Sequence, residues 1–266
     1  MLLNSKKCSN CEAYYDPTLE KCPECHKSNE LYEQRAISNN VVFFHPAAQI
    51  GLFLCGFAYA GMLLAELLFS IFVIGVENKI YQSTILLLLV YLLMFGGLLT
   101  IAFTTRRKTF IKRFTRYQDY LFGGAYAMGL IFVGLIISFI MAIFQQEGNN
   151  TNQSAAIDIA NNYPILAFFI LCLLGPICEE MTYRVGLYSF FRRINKYLAM
   201  AITTIIFALI HFDFLASDMV NELLSLPSYL SAGLLLTIAY EHRGPACSMT
   251  AHILYNTFAF VLMILV

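Results

Sequence analysis

The residues with chemistry to offer are Glu179, Glu180, Arg184, His211, His252 and Asn256, all of them inside apolar stretches. Inserting a charged group at mid-membrane costs about 2.5–3.5 kcal/mol, so a helix bundle keeps such groups only where they face its interior, pair with one another or line a wet cavity. Glu180 and Arg184 are four apart with the acid nearer the N-terminus, the favoured order for an intrahelical ion pair. Adjacent glutamates on a helix point about 100° apart, so that pairing leaves Glu179 to face a cavity. His252 and Asn256, again four apart, share a face and bring two hydrogen-bond donors toward one point, an arrangement suited to an oxyanion. Phe207 stands four residues before His211 on one stripe, where its ring can fix the imidazole or wall off a cavity.

A second group sits in the polar N-terminal segment. Cys8-x-x-Cys11 and Cys22-x-x-Cys25 are separated by a stretch that includes the turn pair Asp16-Pro17. Two such knuckles fold back and offer four thiolates tetrahedrally, a structural zinc site with its coordination sphere closed. A segment this short has no core of its own, so the metal supplies on the order of 10 kcal/mol of its folding free energy. The expected cofactor is therefore structural Zn2+ on Cys8, Cys11, Cys22 and Cys25, with His26 a bystander or weak alternative ligand. Disulfides are the competing arrangement, and a reducing compartment disfavours them. Cys55, Cys172, Cys178 and Cys247 read as small buried hydrophobes.

Composition says what must position these groups. Of 266 residues 59% are hydrophobic and 13% charged, and the mean hydropathy is +0.65, well outside globular usage. Basic and acidic side chains balance at 17 each, which leaves no global field and no expectation of a nucleic-acid partner. Apolar runs near the length that a hydrocarbon core of about 30 Å requires fall at 48–76, 82–104, 121–144, 164–191, 197–212, 223–241 and 246–266, the fifth and sixth being short. Lipid leaves backbone groups no outside partner, so each run must be a helix. The fold class expected is all-α, a polytopic transmembrane helix bundle of about seven helices with a small N-terminal four-cysteine zinc ribbon. Its division is a knuckle over 1–30, a tether over 31–47, two transmembrane helices with a basic cytosolic loop over 48–120, and a catalytic bundle over 121–266.

Arg106, Arg107, Lys108, Lys112, Arg113 and Arg116 crowd the second loop, Arg192, Arg193 and Lys196 the fourth, and Arg243 the sixth, whereas 145–163 and 212–224 hold no lysine or arginine. The positive-inside rule then puts the N-terminus in the cytosol. Counting about 1.5 Å per residue from the basic flanks sets Glu179, His211 and His252 about 20, 22 and 13 Å deep, so the fourth, fifth and seventh runs can bring them to one plane, on a cavity reached from the cytosol.

Three motifs in this order resemble those of the CPBP family, the CAAX protease and bacteriocin-processing membrane proteins also called Abi. Glu-Glu-x-x-x-Arg is matched by Glu179 to Arg184, Phe-x-x-x-His by Phe207 to His211, and His-x-x-x-Asn by His252 to Asn256. The resemblance covers roughly 120–266. The knuckle and the first two apolar runs lie outside it, although zinc-ribbon heads occur on some bacterial members. It implies an intramembrane endopeptidase that hydrolyses peptide bonds with a glutamate-activated water. Carried onto these positions, Glu179 is the base, His211 holds and polarises the water, His252 and Asn256 stabilise the oxyanion, and Glu180 with Arg184 keeps the helix in register. The set Glu, His, His is compatible with a catalytic metal or with metal-free chemistry. Its origin on three helices, without the His-Glu-x-x-His spacing, leans toward the metal-free form.

Two other classes use the same groups: a non-catalytic membrane scaffold or bacteriocin-immunity-type protein that binds a partner through the polar cluster, and a proton-coupled carrier. No internal repeat of the kind many carriers show is apparent. The expected partners are the lipid bilayer, a peptide or membrane-protein substrate, and a protein held by the knuckle. The expected location is a bacterial plasma membrane.

Overall fold

The computed structural model describes residues 6–16, 19–29, 41–57, 68, 69, 71, 77–143 and 150–265. Most of the expected tether, the middle and end of the first apolar run and the side chains of Arg106, Arg107 and Lys108 lie outside the described residues.

The N-terminal segment uses one turn design twice. β1 (Lys6–Lys7) pairs antiparallel with β2 (Tyr14–Tyr15), and a single bridge joins Lys21 to Ser28. In the first turn the Cys8 N–H donates to the Ala13 carbonyl at 2.9 Å and the Cys8 carbonyl accepts from Glu12 N–H at 3.1 Å. Cys22 does the same with Lys27 and His26, both at 2.9 Å. Turning the chain this sharply puts the residue after each second cysteine at positive φ, 61° at Glu12 and 55° at His26, a left-handed conformation that glycine adopts more easily.

Among the described residues the principal helices are α1 (Pro46–Gly56), α2 (Lys79–Lys112), α3 (Tyr117–Ile143), α4 (Thr151–Asn162), α5 (Pro164–Phe191), α6 (Lys196–Leu209), α7 (Met219–Arg243) and α8 (Pro245–Leu265). Asparagine side chains start three of them: Asn78 accepts from Tyr81 N–H, Asn150 from Gln153 N–H and Asn195 from Tyr197 and Leu198 N–H, each satisfying a donor that the first turn leaves unpaired. Among the described residues five helices are long and apolar enough to cross a membrane: α2 over Lys79–Thr105, α3 over Tyr117–Met141, and α5, α7 and α8 whole. With the shorter apolar α1 and α6 they make the expected all-α bundle. The sixth run is longer than its hydropathy suggests, because α7 begins at Met219 and takes in polar Asn221 and Glu222. Glu222 is buried there and accepts from two backbone N–H groups, Thr151 at 2.7 Å and Asp213 at 3.1 Å.

α5 is wound more widely than an α-helix over Phe168–Leu174 and Glu180–Tyr188, which are π-helical. Pro176 lies between them, and a proline inside a helix lacks its N–H and crowds the carbonyl one turn back, a strain that widened turns absorb. In the wide register Gly175 N–H reaches Ile170 O, so the following carbonyl, Leu171, would be met by residue 176, the proline. Asn256 of α8 fills that vacancy, its Nδ2 donating to Leu171 O at 2.8 Å.

Gly186 and Gly123 are among the glycines that permit close helix contacts. A Cβ on Gly186 of α5 would lie 2.9 Å from Phe53 N and 3.2 Å from Gln49 O of α1, and one on Gly123 of α3 would lie 2.8 Å from Cys247 O of α8. Both contacts are to backbone atoms, which have little room to give.

Charged contacts define the two ends of the bundle. At one end Glu241 of α7 pairs with Arg192 at 2.9 Å and Lys196 at 3.6 Å, while Arg243 stands 3.9 Å from Asp119 of α3. At the other end Glu222 ties Thr151 of α4 to Asp213, and Tyr81 meets Tyr163 ring to ring at 5.7 Å.

Candidate functional site

The polar cluster is built outward from a sealed ion pair. Glu180 and Arg184 are fully buried, with Arg184 Nη1 donating to Glu180 Oε1 at 2.8 Å. The guanidinium is held further by Gly233 O of α7, at 3.1 Å, and by the face of Phe207, 4.5 Å from its centroid. Such a pair survives desolvation because its hydrogen bonds are short and directed. Glu180 Oε1 also accepts from His252 Nδ1 at 3.0 Å, which turns the other ring nitrogen, Nε2, toward Glu179 Oε2 at 3.8 Å. Glu179 differs in environment from its neighbour: its side chain keeps 17% exposure where that of Glu180 keeps none.

His211 lies in the turn after α6, and its Nδ1 is 2.7 Å from Phe207 O. A carbonyl only accepts, so Nδ1 carries the proton and Nε2 offers a lone pair. The ring contacts Phe207 at 4.9 Å and stacks on Tyr229 at 4.6 Å and 17°, and Phe207 in turn stands 6.0 Å from His252, between the two imidazoles. Asn256 follows His252 by one turn, with one amide N–H committed to Leu171 O. The structure thus joins Glu179, Glu180, Arg184 and His252 by direct contacts, His211 through Phe207, and Asn256 through the backbone of α5.

Two tyrosines belong to the cluster and were not singled out from the sequence. Tyr91 of α2 donates from its hydroxyl to Glu179 Oε1 at 3.4 Å. Tyr229 of α7 accepts from the side-chain amides of Asn150 and Asn152, at 3.1 and 3.2 Å, while its ring covers His211. Tyrosine is common in membrane helices, so type alone gave no signal.

Side-chain hydrogen bonds knit the basic end together. Tyr188 donates to Glu241 at 2.7 Å, Ser189 bonds Tyr240 at 2.9 Å, and Val42 N–H donates to the Tyr240 hydroxyl at 3.0 Å. Val42, Phe44 and Gln49 are buried in the same packing. Residues 41–49 come from outside the motif-bearing runs.

At the other end of the chain, the four cysteine sulfurs lie within 4.8 Å of one another, with Cys8 Sγ 3.6 Å from Cys25 Sγ and Cys11 Sγ 3.5 Å from Cys22 Sγ. Four sulfurs about 2.3 Å from a tetrahedral zinc are about 3.8 Å apart, so the donor set fits that ion. The spacing is far beyond a disulfide bond of about 2.05 Å. Asn10 donates a side-chain hydrogen bond to Cys25, the leading cause that lowers its thiol to about 6, and the thiolate is the form that binds metal. His26 is exposed and outside the set. Among the described residues this is the only group of three or more His, Cys, Asp or Glu whose ligand atoms gather so closely.

A bundle of membrane-length helices around a buried carboxylate, imidazole and guanidinium cluster defines a class, the polytopic helical membrane proteins with an ionisable core. Residues 161–258 match the family model described as type II CAAX prenyl endopeptidase Rce1-like, so this part of the chain is similar to that family. The chain is also similar to UPF0177 protein YvdC of Lactococcus lactis subsp. lactis (strain IL1403), 27% identical over 134 residues, which cover 50% of this chain and 49% of that protein. The match therefore spans about half the length of that curated relative. No solved structure matches.

Proposed function

We propose that the chain is an intramembrane endopeptidase in which Glu179 activates a water. The observation that carries this reading is the asymmetry of the adjacent glutamates. Glu180 is neutralised by Arg184 and His252, while Glu179 stays partly exposed beside His252 Nε2. A general base needs that access to water and that positioning. His211, its Nδ1 proton held by Phe207 O, presents Nε2 to the water. Glu179 takes a water proton as the oxygen attacks the peptide carbonyl. His252 and the second amide N–H of Asn256 stabilise the oxyanion, and the proton passes to the departing nitrogen as the C–N bond breaks. The products are a carboxylate and an amine. Glu180 and Arg184 position His252 and hold α5 in register.

By the positive-inside rule the basic end faces the cytosol of a bacterial plasma membrane, with the knuckle on that side. There, zinc on Cys8, Cys11, Cys22 and Cys25 folds a head that binds a protein partner. The protease reading is tested with purified protein in liposomes and a library of hydrophobic peptides. Glu179→Gln retains bound peptide and yields no fragments, whereas wild-type rates from this variant refute the reading. Full biological function from a Glu179→Gln, His211→Ala double variant supports a non-catalytic scaffold instead.

A further inference from the structure

We infer that Tyr91 of α2 is the positioning residue for Glu179, its hydroxyl holding one carboxylate oxygen so that the other faces His252. That Glu179 is the base rests on the proteolytic reading above; the tie between hydroxyl and carboxylate does not. Tyr91 lies outside residues 161–258, the stretch that the family model matches, and on a helix that supplies none of the three motifs. Its hydroxyl donates to Glu179 Oε1 at 3.4 Å, long for such a bond, as catalytic hydrogen bonds often are before substrate binds. Glu179 Oε2 stands 3.8 Å from His252 Nε2, too far for a direct hydrogen bond but within reach of one water oxygen about 2.8 Å from each. With Oε1 engaged by Tyr91, Oε2 is the oxygen left to accept the water proton.

Tyr91 is seated on α5 at three points, of which the hydroxyl contact is one. Its backbone carbonyl accepts from Cys178 Sγ at 3.8 Å, and a Cβ on Gly175 would lie 3.5 Å from its ring Cζ and its hydroxyl oxygen. Gly175, Cys178 and Glu179 stand at i, i+3 and i+4, one face of a helix. They belong to Gly175–Glu179, the α-helical piece between the two π-helical stretches. A π turn advances successive side chains by a smaller angle than an α turn, so wide stretches on both sides deny Glu179 the bearing that a regular helix would set. Tyr91 supplies that bearing from a neighbouring helix. The carboxylate needs it: Glu180 is fixed by Arg184 and His252, whereas the Glu179 side chain keeps 17% exposure and has several rotatable bonds between its oxygens and the backbone. A misplacement of about 1 Å costs on the order of 10²-fold in rate.

The test uses the full chain in liposomes and a peptide that wild-type protein cleaves from the hydrophobic library. Tyr91→Phe lowers kcat about tenfold to a hundredfold and leaves KM within about twofold of wild type, the signature of an interaction used in the transition state and not in binding. Amber suppression at position 91 then separates donor from packing. Ortho-fluorotyrosine keeps the O–H and recovers the rate, whereas para-fluorophenylalanine, of similar shape with no O–H, stays as slow as Tyr91→Phe. Wild-type kcat in Tyr91→Phe, or equal rates for the two analogues, overturns the inference. A double-mutant cycle of Tyr91→Phe with Glu179→Leu, read as unfolding constants, reports the tie without catalysis. The expected coupling is about tenfold, and additive effects overturn the inference as well. Wild-type protein that cleaves no peptide sinks the protease reading, and the cycle then decides the tie by itself.

Discussion

Replacing Arg184 with methionine removes the cation that neutralises a carboxylate with no exposed surface. At the observed 2.8 Å, with an effective dielectric of about 20, the pair attracts by about 6 kcal/mol before the desolvation of both ions is counted. The two nearly offset, but a single substitution breaks the balance, because it leaves Glu180 buried with His252 alone. The expected loss is about 3–5 kcal/mol, or two to nearly four orders of magnitude in the folding equilibrium. The other contacts of the guanidinium change this little. Gly233 O keeps the Thr237 hydroxyl at 2.7 Å, and the stacking on Phe207 contributes about 0.5–2 kcal/mol. Glu180→Leu combined with Arg184→Met fills similar volume without charge and recovers most of the loss. Steric trapping in bicelles measures all four corners of this cycle. Single variants that each lie within about 1 kcal/mol of wild type would refute the argument that the pair locks α5.

Asn256→Ala leaves Leu171 O without a donor and costs about 1–3 kcal/mol; in a Pro176→Ala background, where residue 176 regains its N–H, the same change costs less, and equal losses in both backgrounds refute the role given to the proline. Wild-type protein carries one zinc per chain by elemental analysis, and Cys22→Ser reduces this to background; unchanged zinc content points to another site. Glu12→Gly with His26→Gly relieves two left-handed residues of about 1–2 kcal/mol each, so the double variant holds zinc against a chelator more tightly than wild type, and faster zinc loss counts against the turn geometry.

The polar cluster was legible because every ionisable group in an apolar run is expensive, and spacing of four along a helix predicts which neighbours share a face. Glu180–Arg184 follows from that rule, and so does the contact of Phe207 with His211. The paired CxxC knuckles were equally plain, since their spacing fixes the turns. Three features were not legible, each for its own reason. Asn256 meets Leu171 only because Pro176 shifts the register of α5, a change no regular helix template contains. Tyr229 covers His211 through a loop whose path depends on how soon α6 ends. The packing of the basic end depends on Val42 and Tyr240, whose contact spans most of the chain.

That last feature bears on how the protein is made. Arg193 donates to Gln49 at 3.0 Å and also to Phe44 O, a residue translated 149 positions earlier. At about 5–20 residues per second a ribosome takes roughly 7–30 s to supply that arginine. Throughout that interval the nascent Phe44–Gln49 stretch has neither its cation nor the groove of α5, so it is open to membrane chaperones and proteases. A chain halted before Arg193 never gains this clasp, so the packing of Phe44 to Gln49 waits on completion of the fourth loop.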